Sequence, residues 1–373
     1  MSFADGLVVA AAVYWCVAVA LLLLSSVGTL LQPALAARRG RRDDQPPVSI
    51  VLPIKLHDAI FDAAQETAFT QDYPQIEVIG AAAESQSEAI DALRTIFARH
   101  SQIPARLLQS TEKFARSPKV DNLKAPILAA THDTILTKDA NAVLEPGDLA
   151  AHIRHLTPDV GLVCAVMVMS KADNFAAEIE ASIVNGPHAR MLFLAGALGQ
   201  GFGVGKIMLF RRSDFLRAGG FSAISHTVGE DNAMAKAMKR IGLRTVFSDR
   251  EVRQPLGRRV LRDVWDRQLR WAVIRRDDEL LSFIAEPVCQ AIPAIAAAAI
   301  AAPLAGFSSV QAAAVTYFLW LALESWLSRR KGWPLSWSAP AVLIARESVM
   351  LGVWATAWVT NRVVWAKERL GAR

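Results

Sequence analysis

Three apolar stretches bracket an alternating middle. Residues 6–37 carry no charge, and residues 7–31 are long enough to cross ~30 Å of hydrocarbon. Residues 287–323 form a second uncharged stretch, broken at 305–309, which predicts two spans near 287–304 and 310–327 joined by a short turn. A third segment, 339–365, carries Arg346 and Glu347, a costly pair at mid-bilayer. It reads as a third span, a re-entrant element or an interfacial helix. The first stretch far exceeds the ~7–15 apolar residues of a cleaved signal peptide, so it reads as an anchor.

Between these stretches, short β-branched runs alternate with helical periodicity. Segments 48–53, 76–80, 105–108, 134–137, 160–169, 206–210 and 243–247 read as strands. Segments 61–69, 86–99, 121–131, 175–190 and 231–240 read as helices. Alternating strands and helices predict an α/β class fold, a doubly wound and mostly parallel sheet with ligands at the carboxyl ends of its strands. The organisation expected is an N-terminal transmembrane anchor (1–37), a cytoplasmic domain (46–278) and C-terminal transmembrane and interfacial helices (286–373). Basic residues set the orientation. Arg38, Arg39, Arg41 and Arg42 follow the first stretch, Arg329, Arg330 and Lys331 the second, and Lys367, Arg369 and Arg373 close the chain. All place their flanks in the cytoplasm, in keeping with a bacterial inner membrane.

Composition adds little beyond this. The 373 residues are 53% hydrophobic with a net charge of +6. The basic residues cluster beside apolar segments, where they meet anionic headgroups. No recognition helix, metal-finger spacing or basic–aromatic stripe points to nucleic acid. Cys16, Cys164 and Cys289 have no partner at disulfide or metal spacing. His152 and His155 lack a third ligand and read as surface histidines.

Three short segments carry candidate chemistry. Asp139, at a strand end with Asn141 two residues on, either caps a turn or holds Mg²⁺ or Mn²⁺ against a diphosphate. Glu230 and Asp231 open a helix; they either complement its dipole or supply a general base. Arg267 and Arg270 share a helix face, with Trp271 as a flat wall; they either rest on headgroups or grip a pyrophosphate. Gly199, Gly201, Gly203 and Gly205 alternate through a loop. A strand follows them, where a phosphate fingerprint needs a helix, so they read as a mobile loop over a substrate.

In order, these pieces resemble the ceramide glucosyltransferases. The likeness runs through Pro53-Ile54-Lys55, Gln71-Asp72-Tyr73-Pro74, Pro118-Lys119-Val120-Asp121-Asn122-Leu123, Asp139 and Gly186-Pro187-His188-Ala189-Arg190. It continues through Gly229-Glu230-Asp231, Arg267 to Trp271, and Ala345-Arg346-Glu347-Ser348. The resemblance implies a membrane-anchored nucleotide-sugar-binding fold of the glycosyltransferase A type. It implies Asp139 at the metal and diphosphate, Asp231 as catalytic base beside Glu230, and Arg267, Arg270 and Trp271 near the diphosphate and acceptor. It also implies His188 near the active site, and Pro53, Lys55 and Lys119 on the donor side. The family's aspartate pair after the second strand is absent; Glu84, Gln86 or Ser87 is left to meet the nucleotide. The implied reaction is a single displacement with inversion, from a UDP-sugar, glucose by family default, to the primary hydroxyl of ceramide. Galactose, glucuronic acid and N-acetylglucosamine remain open as sugars, and hopanoid or diacylglycerol as acceptors. A polysaccharide synthase would need a larger channel. A catalytically silent relative is the reading that is not an enzyme.

Overall fold

The computed structural model describes residues 3–39, 42–365 and 368–371; Arg41, Lys367 and Arg373 of the orientation argument lie outside them. The strands are β1 (Val48–Pro53), β2 (Ile76–Ala82), β3 (Ala105–Gln109), β4 (Thr134–Lys138), β5 (Val160–Cys164), β6 (Met167–Ala172), β7 (Ile207–Arg211), β8 (Arg244–Phe247), β9 (Val252–Gly257), β10 (Arg362–Trp365) and β11 (Glu368–Gly371). The helices before the last strand of the main sheet are α1 (Phe3–Arg38), α2 (Phe61–Glu66), α3 (Glu88–Arg99), α4 (Pro118–Ala129), α5 (Asp148–Ile153), α6 (Phe175–Ile183), α7 (Ala189–Ala197), α8 (Arg212–Arg217), α9 (Gly220–Ile224) and α10 (Glu230–Arg240). After it come α11 (Leu261–Asp278), α12 (Leu280–Ala285), α13 (Ala291–Ala301), α14 (Ser309–Lys331) and α15 (Ala339–Val359).

The central sheet has seven strands in the order β3-β2-β1-β4-β7-β5-β8. Residues of β1, β2, β4 and β5 are buried throughout, which is why they read as continuous apolar runs rather than alternating ones. Separate apolar clusters cover the two faces: Ile50, Leu52 and Val78 with Ile90 and Leu93 of α3 on one, and Val51, Ile79 and Ile135 with Val120 and Leu123 of α4 on the other. One strand departs from the parallel expectation. β7 runs antiparallel to both β4 and β5. The chain leaves β5 through β6, α6 and α7 and re-enters at the carboxyl edge, so β7 has to run back. The expected strand 160–169 is accordingly two: β5 stays in the sheet, and β6 pairs with β9 in a separate two-stranded ribbon. The expected helix 175–190 is also broken. Pro187 has no N–H to give and Gly186 sits at a non-helical ψ of −108°, so a wide π-type turn over Val184–His188 separates α6 from α7.

Strand directions gather one edge. Residues after Pro53, Ala82 and Lys138 meet those just before Ile207 there. Ser248, just past β8 on that edge, accepts a 2.8 Å bond from Gln32 near the end of α1. Gly28 of α1 lies so close to α7 that a Cβ would stand 2.8 Å from the Leu194 Cα. The apolar first helix thus ends docked against α7 and the sheet's carboxyl edge. His152 and His155 are not surface residues. Both are buried, with His152 Nδ1 2.8 Å from Ser248 Oγ and His155 Nε2 2.9 Å from Asp249.

Among the described residues, α1, α14 and α15 are long and apolar enough to cross a membrane. The bent pair Leu280–Cys289 and Ala291–Ala305, meeting at 62°, makes a fourth if it counts as one span. Their outward faces carry exposed Leu23, Leu24, Val315, Phe318 and Ile344, as a lipid-facing surface requires. Arg346 and Glu347 of α15 point inward instead. Arg346 pairs with Glu324 of α14 at 2.6 Å and with Glu347 at 2.7 Å, and Glu324 also holds Arg190 of α7 at 3.0 Å.

Candidate active site

Asp139 follows β4 directly, and its backbone N–H donates to the Lys206 carbonyl at 2.9 Å across the antiparallel β4–β7 register. This puts Lys206 beside it. Lys206 Nζ stands 3.2 Å from Asp139 Oδ2 and donates to Asn141 Oδ1 at 2.7 Å. Lys119, in the first turn of α4, takes the other Asp139 oxygen at 2.8 Å. The same ammonium reaches Glu230 at 2.8 Å and the Gly205 carbonyl at 2.8 Å. Lys119 therefore ties the strand-end aspartate to the Glu230-Asp231 helix start. Burial opposes charge on Asp139, but Lys119 and Lys206 overcome it and hold the carboxyl below its ordinary range. Burial of Lys138, just before Asp139, lowers its ammonium to about 7.

Asp231 opens α10. Its Oδ2 accepts from the Gly205 N–H at 2.8 Å and its Oδ1 from the Asn232 N–H at 2.8 Å. Burial, reinforced by the Glu230 charge, pushes the Asp231 carboxyl up to about 7. The glycine loop is what brings that donor in. A Cβ on Gly203 would lie 2.0 Å from the Asp231 carbonyl oxygen, and one on Gly201 2.6 Å from the Thr245 carbonyl. These glycines are where two backbones touch. The loop packs against the start of α10 and β8, a contact that the expectation of a mobile loop over a substrate did not contain.

The arginine motif lies on α11 and splits its roles. Arg267 is paired with Glu180 of α6, a fully buried carboxylate, at 2.7 Å, and Arg259 stands 3.6 Å from the same group. Arg267 is thus anchored to the protein rather than presented to a pyrophosphate. Arg270 is the motif's second cation: burial lowers its guanidinium to about 10, with the Arg267 charge adding to this and the Asp139 charge opposing it. Trp271 lies beside His188, with ring centroids 6.4 Å apart and the planes tilted by 57°. His188 Nε2 is shut off from solvent and has no hydrogen-bond partner among the described residues, and burial, with Arg275 and Arg346 adding, keeps the ring well below its usual titration range.

The residues expected on the donor side are placed differently from one another. Pro53 ends β1 and Lys55 lies two residues on, at the same edge as Asp139. Glu84 is exposed beyond β2, and Ser87 is spent on capping α3, accepting from the Ile90 N–H. The expected metal centre is the clearest disagreement. Both nominated ligands, Asp139 and Asn141, are engaged by the Lys206 ammonium, and Asp139 by Lys119 as well. Among the described residues no three His, Cys, Asp or Glu side chains gather in a way that would hold an ion. The residues present do not fit a preformed Mg²⁺ or Mn²⁺ site. Glu180, Lys206 and the Gly203–Gly205 contact went unread in the sequence, because each acts through a partner distant along the chain.

A sequence profile described as glycosyl transferase family 21 matches residues 7–373. Ceramide glucosyltransferase 1 of Caenorhabditis elegans is 24% identical over 233 residues, 62% of this chain and 50% of that protein. A ceramide glucosyltransferase of Komagataella phaffii is 27% identical over 110 residues, 28% of this chain and 22% of that one. The chain spans about half the length of the nematode relative. Among solved structures, a mannosyltransferase from Pyrobaculum calidifontis in complex with GDP-Man and Mn²⁺ superposes with a TM-score of 0.51. It is 19% identical, and the match covers 91% of this chain and 99% of that one. It shares the fold.

Proposed function

The chain belongs to glycosyl transferase family 21, and from that premise we propose that it moves a hexose from a UDP-sugar, UDP-glucose first, to the primary hydroxyl of a membrane lipid, ceramide first, with inversion. In this reading residues 46–278 carry catalysis on the cytoplasmic side of a bacterial inner membrane. Residues 1–37 and 286–373 anchor them. The observation that carries the reading is the position of Asp231. It lies in one charge cluster with Lys119, Glu230 and Asp139. It also lies one residue from Asn232, whose amide reaches Asp278 and Glu279 at 3.5 and 3.4 Å. Those two acids join α11 to α12, whose Leu280, Leu281 and Ile284 are exposed, an apolar surface that lipid would cover in this reading. A base there meets a hydroxyl held at headgroup depth.

The chemistry follows from the side chains. Asp231, ionised, takes the acceptor hydroxyl proton as the oxygen attacks the anomeric carbon. The C–O bond to the nucleotide breaks on the opposite face, and the electron pair leaves with the diphosphate. Lys119, Lys206 and Arg270 face the charge that grows there. No step runs through a metal. Arg267, locked to Glu180, sets the orientation of the helix that carries Arg270. The neutral His188 and Trp271 form a wall beside the reacting centre.

The test is transfer by the purified chain in nanodiscs. It would be given labelled UDP-glucose, UDP-galactose, UDP-glucuronic acid or UDP-N-acetylglucosamine, with ceramide, diacylglycerol or a hopanoid. A β-linked hexosylceramide is expected. Absence of product from every pairing sinks the reading, and product on another lipid moves the acceptor. The glycine loop supplies a second check. In Gly203→Ala the new methyl meets main chain that cannot swing aside, so the Gly205 N–H is drawn off Asp231. A hydrogen bond to a charged group is worth ~1.5–3 kcal/mol. Turnover is therefore expected to fall about 10- to 100-fold, with the kcat/KM inflection moved to higher pH and circular dichroism unchanged.

A further inference from the structure

Resting on the donor reading above, we propose that the Lys206 ammonium takes the place of a divalent cation at the donor's diphosphate, so that this chain binds nucleotide and transfers sugar without a metal. Asp139 and Asn141 are the two oxygen donors that the sequence nominates for an ion. Their side chains converge on one nitrogen, at 3.2 and 2.7 Å. Those are ammonium distances, well beyond the ~2.0–2.1 Å of Mg²⁺. An ammonium donates three hydrogens, and these two contacts leave one for a phosphate oxygen.

The position is built. The Lys206 carbonyl is held by the Asp139 N–H at 2.9 Å, and β7 begins at the next residue, so the lysine enters the site from a fixed strand. Lys119 closes the other side, on Asp139 and Glu230. A dication seated on Asp139 would have to displace one ammonium and sit against the second. Nearby carboxylates do not offset this: Glu230 is itself tied to Lys119, Asp231 accepts from the Gly205 and Asn232 N–H groups, and no three-ligand group gathers among the described residues. Lys206, just before β7, and Lys119 of α4 then face a diphosphate from two elements. The positive charge at the leaving group comes from side chains, which cannot be chelated away.

The experiment is calorimetric titration of UDP into the full-length chain in nanodiscs, once in EDTA and once with Mn²⁺, for wild type, Lys206→Met and Lys206→Arg. Wild type is expected to bind UDP with the same affinity in both buffers and to take up no Mn²⁺ by itself. Lys206→Met, which keeps the aliphatic stem, should bind about 10-fold more weakly in EDTA and regain affinity with Mn²⁺, while Lys206→Arg stays near wild type. Wild-type binding that requires Mn²⁺ overturns the substitution of lysine for metal and leaves the donor reading standing. No UDP binding in either buffer overturns both. If the methionine variant does not fold, the wild-type comparison decides alone.

Discussion

Asp231→Asn is expected to lower kcat by about 10²–10⁴-fold and leave nucleotide affinity nearly unchanged, because it removes a proton acceptor and little else. The asparagine keeps one side-chain oxygen for the Gly205 or Asn232 N–H, so the start of α10 holds its shape. The pH profile separates a catalytic loss from a structural one. Burial, helped by Glu230, raises the wild-type carboxyl to about 7. A base works only when ionised. Wild-type kcat/KM should therefore climb as pH rises through about 7 and level off above it, and Asp231→Asn should lack that inflection. Glu230→Gln removes a charge that disfavours ionisation of Asp231, so its inflection should move to lower pH. Wild-type turnover in purified Asp231→Asn would show that another group takes the proton.

Arg346→Met should carry the largest stability loss. The arginine is fully buried and holds Glu324 at 2.6 Å, Glu347 at 2.7 Å and the Ser182 hydroxyl at 3.2 Å, joining α14, α15 and α6. Removing one partner of a buried ion pair costs ~3–5 kcal/mol, most of it the penalty on the charge left behind. Arg190 still faces Glu324 in the variant, so Glu347 is the group stranded. Adding Glu347→Gln to Arg346→Met should therefore restore part of the loss, a non-additive result that marks direct coupling. Thermal midpoints in detergent read both effects. Equal and additive drops would mean that the charges are solvated and the network carries no energy. The network also explains how α15 tolerates charge: the pair expected to be costly in lipid faces protein on every side.

Several elements of this fold were legible because their signals are local. β1, β2 and β4 are apolar β-branched runs that end at a proline, a glycine-alanine stretch and a lysine–aspartate step. Strand direction then places Asp139 at a ligand edge without further information. The long uncharged segments announce themselves by length alone. The breaks were legible only in part. Pro187 sits in the predicted helix, yet the π-type turn that turns His188 toward Trp271 needed the β6 neighbour Met169, whose backbone grips Asn185. The antiparallel run of β7 depends on where a long excursion re-enters, which no window of residues contains.

The sequence alone determined the alternation of strands and helices, the apolar segments, and the residue types at Asp139, Glu230-Asp231 and Arg270-Trp271, since hydrophobic burial and backbone preference act over a few residues. Tertiary structure decided what those groups face: Lys206 on Asp139 and Asn141, Lys119 between Asp139 and Glu230, Glu180 under Arg267, and a glycine loop against Asp231. Electrostatic partners are chosen by distance in space. Lys119 and the Gly205 carbonyl it binds are 86 residues apart in the chain, and only the folded sheet brings them to 2.8 Å.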